Sequence, residues 1–160
     1  MCELCEKTGG ELIWQNGLCR VVLVMEDEDY PGFCRVILQR HVGEMTDLPE
    51  EERIALMKIV FSVEKAVRSA LHPDKINLAS LGNMTPHLHW HVIPRFSNDR
   101  HYPNPVWGKP LRDESTPLSP GWKALLESQR EEVFGSRIID RTELEERIRH
   151  QKPCETGFDS

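Results

Sequence analysis

The chain has 160 residues, 39% of them apolar and 29% charged, with a formal charge of −6. That size suits one domain able to bury its own core, and the acidic balance argues against binding bulk nucleic acid through a basic surface. No run approaches the roughly 18 apolar residues that span a bilayer, and the polar start Met1-Cys2-Glu3-Leu4-Cys5-Glu6 lacks the apolar region of a signal peptide, so the expectation is a cytoplasmic protein without a membrane partner.

Residues 11–14 (Glu-Leu-Ile-Trp) read as a short strand that ends in an Asn16-Gly17 turn. Residues 19–25 are apolar and partly β-branched, which predicts a second strand. The acidic run Glu26–Asp29 and the pair Pro31-Gly32 mark a solvated loop and a turn. A strand pattern resumes over 33–39, so the first forty residues predict an antiparallel meander. Pro49 and three consecutive glutamates then announce a helix, because carboxylates favour the positive end of the helix dipole. Apolar residues at 56, 59, 60, 63, 67, 70 and 71 keep the helical period, and His72-Pro73 stops it. Residues 75–81 alternate as a strand, and Gly82-Asn83-Met84-Thr85-Pro86 is a tight connection to a further strand over 87–95. Five prolines between 103 and 120 predict an extended loop region, followed by a helix over 121–134 and a charged helical segment over 140–150.

The strand over 87–95 carries the chemistry. In His87-Leu88-His89-Trp90-His91-Val92-Ile93 every second residue is histidine. Alternation sends those three imidazoles to one face, about 6.6–7 Å apart between neighbours, and Leu88, Trp90 and Val92 to the other. One histidine on a half-buried strand is ordinarily inert. Three on one face must be compensated, because burying ionisable groups together costs desolvation and mutual repulsion. A bound anion or a metal would supply that compensation.

The segment His87 to Arg95 resembles the histidine triad (HIT) signature, His-apolar-His-apolar-His-apolar-apolar, with the Pro-Arg that often follows it. The preceding strand–helix–strand order is also similar to that family. The resemblance implies an α+β fold, an antiparallel sheet of about five strands with a long helix packed on it, and usually a homodimer. It implies a HIT-like domain over 1–135, with a C-terminal helical extension and polar tail over 136–160. It further implies a small nucleotide substrate, attacked at the α-phosphorus by His89 to give a nucleotidyl-histidine, as nucleophilic catalysis requires. In that scheme His91 contacts phosphate, His87 completes the triad, and a backbone carbonyl holds the proton of His89. Gly82 and Asn83 stand where many members carry Gly-Gln, and Asn83 is a candidate amide donor to phosphate. Phe33 stands where many members carry a histidine near the nucleoside, and it fits core packing as well as stacking on a base. Arg95 is a candidate phosphate contact, although a salt bridge is the commoner fate of such an arginine. Trp107 lies in a segment, Asn104 to Gly108, similar to one that could close over the cleft.

The chain has five cysteines, an odd number that does not read as a disulfide framework. Cys19 and Cys34 lie in apolar stretches and fit small buried hydrophobes. Cys2-Glu3-Leu4-Cys5 is a C-x-x-C. Together with His41 and His87 it is similar to a ligand set found in several HIT members, which implies a structural zinc held by Cys2, Cys5, His41 and His87. Two other readings stay open: a non-catalytic nucleotide- or zinc-binding module of the same fold, and a metal-dependent hydrolase built on the His-x-His pair.

Overall fold

A computed structural model describes residues 1–135; the segment expected to form a C-terminal extension lies outside the described residues. The chain begins with a single helical turn, α1 (Glu3–Glu6), and continues into strands β1 (Glu11–Gln15), β2 (Cys19–Leu23) and β3 (Cys34–Leu38). The long helix α2 (Glu50–Leu71) leads to β4 (Lys75–Ala79) and β5 (His89–Arg95), and α3 (Trp122–Phe134) follows the proline-rich loop. The expected α+β architecture is what forms: a five-stranded antiparallel sheet in the order β1-β2-β3-β5-β4.

The boundaries follow from local chemistry. Pro49 caps α2, and Glu50, Glu51 and Glu52 occupy its first turn, where carboxylates meet the unpaired amides. His72 ends the helix in the left-handed conformation (φ 48°), its amide returning to the Arg68 carbonyl; Pro73 bars continuation. At the turn before β3, Gly32 (φ 84°) is obligatory, because a Cβ there would stand 2.3 Å from Leu71 Cδ1. The histidine-bearing strand starts two residues later than its alternation predicts. His87 precedes β5, held by a bond from its amide to the Thr85 carbonyl.

Alternation gives the sheet two unlike faces. Cys19, Val21, Leu23, Cys34, Val36, Leu38, Leu88 and Val92 form the main core with Leu56, Val60, Val63 and Val67 of α2. Cys19 and Cys34 are buried there, and burial pushes both thiols up to about 12, so they are inert packing groups. The opposite face carries Arg20, Val22, Phe33, Arg35, Ile37, His89 and His91. Register aligns them in rows: Arg20, Ile37 and His89 lie side by side, and Val22, Arg35 and His91 form the next row. Two separate covers protect this face. At one end Cys2 and Leu4 pack on Val22 and Ile37. At the other, Tyr30, Phe33, Val24 and Ile93 cluster against Val106 of the proline-rich loop. The histidines lie between the covers.

Candidate functional site

His89 is 8% exposed, and its ring is oriented by the backbone. Its Nδ1–H donates to the His87 carbonyl at 2.6 Å, which leaves Nε2 unprotonated when the ring is neutral. Ser80 Oγ bonds the His89 carbonyl at 2.9 Å and steadies the strand from β4's side. His91 stands next to it, ring centres 4.8 Å apart and planes 83° to each other. Phe33 meets the His91 ring edge-on at 5.5 Å and Trp107 does so at 4.9 Å. Nδ1 of His91 is buried without a hydrogen-bond partner, a costly state for a polar atom. Burial lowers the basicity of all three triad rings, His87 to about 4 and His91 to about 3; for His89 the carbonyl of His87 opposes the effect and the Arg35 charge adds to it. Neutral imidazoles are therefore the resting state near pH 7.

Beside these rings is a cleft of about 240 Å³, lined by His89, His91, Thr85, Arg35, Glu26, Glu3, Leu4, Lys7 and Gly9. Arg35, Thr85, Glu26 and Lys7 were not singled out by the sequence. The signal was present for Arg35: it sits two residues from Ile37 and two from Phe33, hence on one face of β3, and only the pairing of β3 with β5 shows that this is the histidine face.

Several expected contacts fall elsewhere. Arg95 does not reach the cleft. It is 2% exposed and four of its five donors are engaged, with Nε and Nη2 on the two Asp99 oxygens (2.7 and 3.0 Å), Nη1 on Asn77 Oδ1 (2.8 Å) and Nη2 on the Asn104 carbonyl (2.7 Å). Burial alone would raise the Asp99 carboxyl, but Arg95 and the amides of His101 and Tyr102 outweigh it and hold it below the usual range. Phe33, 4% exposed, buttresses His91 from the core and does not line the cleft. Gly82 and Asn83 are likewise absent from its lining; Asn83 is exposed, and the residue of that connection that faces the histidines is Thr85.

His87 turns away from the cleft and joins the cysteines. Its Nδ1 lies 3.4 Å from both Cys2 Sγ and Cys5 Sγ, and His41 Nδ1 is 3.4 Å from Cys5 Sγ. The donor atoms of Cys2, Cys5, His41 and His87 all lie within 4.8 Å of one another. A tetrahedral zinc with ordinary Zn–S and Zn–N bonds separates sulfur and nitrogen ligands by about 3.5 Å, so the four residues fit that ion. His87 is set up for it, because its Nε2–H donates to the Leu38 carbonyl at 2.7 Å and the Nδ1 lone pair faces the sulfurs.

The segment carrying the cysteines is tied down by Arg20, which is wholly buried and has no carboxylate partner among the described residues. Its guanidinium donates to the carbonyls of Leu4 (2.6 Å), Lys7 (3.1 Å) and Thr8 (3.0 Å) and to Gln39 Oε1 (3.2 Å). Burial brings Arg20 down to about 10, with the sulfurs of Cys5, Cys2 and Cys19 opposing that shift. Gly9 (φ 80°) closes the segment against the sheet; a Cβ there would meet Ile37 Cδ1 at 2.8 Å and Leu4 Cδ2 at 2.9 Å.

Known proteins are similar to this chain in sequence and in fold. AP-4-A phosphorylase of Mycobacterium tuberculosis is 27% identical over 103 residues, 58% of this chain and 53% of that protein; the chain spans about half the length of the curated relatives it matches. A histidine triad protein from Sinorhizobium meliloti 1021 superposes with a TM-score of 0.65 at 27% identity, over 84% of this chain and 96% of its own. A zinc-bound histidine triad family protein from Mycobacterium smegmatis shares the fold at 21% identity, with a TM-score of 0.53 over 85% and 97% of the two chains. The HIT domain model matches residues 8–98, more than half of the sequence and inclusive of all three triad histidines, and the chain therefore belongs to the HIT-domain family.

Proposed function

We propose that the protein is a nucleotide hydrolase or nucleotidyl transferase that works at the α-phosphorus through a nucleotidyl-histidine intermediate. The observation that carries this reading is the orientation of His89. With Nδ1–H on the His87 carbonyl, the Nε2 lone pair is the nucleophile. It forms the N–P bond as the bond from phosphorus to the leaving group breaks, and the electron pair departs with that group. Water then attacks phosphorus, releasing the nucleotide and restoring His89. The His87 carbonyl steadies the positive charge that the ring acquires on the way. His91 and Thr85 line the same cleft and serve as hydrogen-bonding groups for the phosphoryl oxygens.

The likeness to AP-4-A phosphorylase, a protein named for action on a nucleotide, supports the same class. Zinc held by Cys2, Cys5, His41 and His87 supplies structural anchoring, since four protein donors leave no open position for substrate. A homodimer is part of this proposal, and light scattering of the purified protein tests it. For the chemistry, His89→Ala is expected to lower turnover of nucleotidyl compounds by at least about 10³-fold while leaving the thermal midpoint within a few degrees. Labelled nucleotide should become attached to the parent in an acid-labile bond and not to the variant. Unchanged hydrolysis in the variant rejects the reading; tight nucleotide binding by a parent that turns nothing over would favour a binding module instead.

A further inference from the structure

We propose that Arg35 selects substrates by reading a second anionic group beside the reacting phosphate. The inference rests on the proposed chemistry at His89 and deepens it. Arg35 lies directly opposite His91 in the β3–β5 ladder, and its neighbour Ile37 lies opposite His89. The guanidinium row is thus one two-residue repeat, about 6.6–7 Å, along from the nucleophile's row. The residue that carries the charge therefore stands in the row beside that of the nucleophile.

Three observations single out this side chain. First, the cleft holds two carboxylates, Glu3 and Glu26, and only two basic side chains among its lining residues. Lys7, the other basic residue in the lining, is paired with Glu3 at 3.0 Å, and the histidines contribute hydrogen bonds rather than formal charge. Second, Arg35 is held but not consumed. One N–H goes to the Gly9 carbonyl at 3.1 Å, and the nearest carboxylate, Glu26, is 4.0 Å away and two-thirds exposed. Contrast Arg95, which spends four of its five donors on Asp99, Asn77 and the Asn104 carbonyl. Third, Arg35 is prepositioned. Its guanidinium carbon stands 5.9 Å from the Phe33 ring centre, and the glycine that accepts from it is itself locked against Ile37 and Leu4. A planar fork held at one N–H, on a residue that lines the cleft, suits a phosphate or carboxylate.

The reading separates two kinds of nucleotidyl compound. A polyphosphate leaving group carries negative charge next to the α-phosphorus; an uncharged amine joined through a phosphoramidate does not. The test uses the full chain, with metal content and thermal midpoint checked, and measures kcat/KM for a dinucleoside tetraphosphate and for a nucleoside phosphoramidate of a neutral amine. Arg35→Met should lower the tetraphosphate-to-phosphoramidate ratio by about 10- to 100-fold, the worth of one charge-assisted contact. Arg35→Lys should recover part of that ratio. If Arg35→Met does not fold, Glu26→Gln, at an exposed position, removes the competing carboxylate and should raise the ratio at least about twofold. An unchanged ratio in the folded Arg35→Met protein, or an unchanged or lowered ratio in Glu26→Gln, overturns the assignment to Arg35. A parent that cleaves neither compound, nor any other nucleotidyl substrate, fails the proposed function itself, which is a different result.

Discussion

Two buried arginines stand at opposite ends of the same sheet face, and they are solved in opposite ways. Arg95 meets a carboxylate, and its partner Asp99 also accepts the amides of Phe96, His101 and Tyr102. That ion pair folds the start of the proline-rich loop back on the sheet without outside help. Arg20 meets only carbonyls and one side-chain amide oxygen, and the groups it gathers present two cysteines to two histidines. One cover is complete in the polypeptide. The other brings together four donors that fit a cation. The triad lies between them, so the cleft has one self-sufficient side and, on the proposed zinc assignment, one side conditional on metal.

The strongest way to break the self-sufficient side is Asp99→Asn. It leaves Arg95 as a buried charge short of a counter-ion, and such breaks cost about 3–5 kcal/mol. The thermal midpoint should fall by roughly 10 °C or more. A shift under about 2 °C would mean the pair is solvated and the contrast is false.

Acid should sharpen the contrast next. In the metal-free protein His87 and His91 resist protonation, at about 4 and about 3, whereas the unfolded chain takes up protons below about 6.5. The unfolded state then binds more protons, so stability declines as pH drops from about 6.5 toward 4, by about 1.4 kcal/mol per pH unit per histidine. Asp99 behaves oppositely. Its carboxyl is lowered, so its contribution is present throughout that window and is lost only as pH falls below the ordinary carboxylate range. Denaturant titrations of metal-free Asp99→Asn and parent at pH 7 and pH 5 should give the same difference between the two proteins, with both weaker at pH 5.

A smaller effect is expected at the conditional side. Arg20→Met should lower zinc affinity by about 10-fold or more, the usual cost of losing a group that holds the ligands in place, measured by chelator competition. Chelation of the parent should remove amide-exchange protection from residues 2–9 while sparing 96–112; equal loss at both ends would erase the distinction. The smallest effect belongs to Arg40 and Glu52, an ion pair on the surface. Glu52→Gln should leave the midpoint unchanged within error, since exposed pairs contribute little.

Much of this was legible in the residues. Alternation over Leu88–Val92 placed His89 and His91 on one side and Leu88 and Val92 in the core, as a strand's period of two requires, whereas His87 precedes the strand and turns to the cysteines instead of the shared cleft. The spacing of apolar residues from 56 to 71 and the Pro49 and His72-Pro73 boundaries gave α2 almost to the residue. What stayed hidden depends on partners distant in sequence. Arg95 offered both a phosphate contact and a salt bridge, and only the fold shows that its partners are Asp99 and Asn77. Arg20 looked like one polar residue in an apolar strand; nothing local says that it gathers Leu4, Lys7 and Thr8. Arg35 became part of the cleft only once β3 was registered against β5. Glu3–Glu6 form a helical turn too short to leave a periodic signature.

Residues 3, 4, 7 and 9 line the reaction cleft, and Cys2 follows directly on the fully exposed Met1. A histidine tag joined at Met1 would therefore bring rival imidazoles next to the four-donor cluster, and EDTA in a lysis buffer would compete from the other direction. On the proposed zinc assignment, preparations that differ in tag or chelator would therefore present differently shaped pockets to the same nucleotide. Rates from such samples are comparable only when each is reported with its zinc stoichiometry.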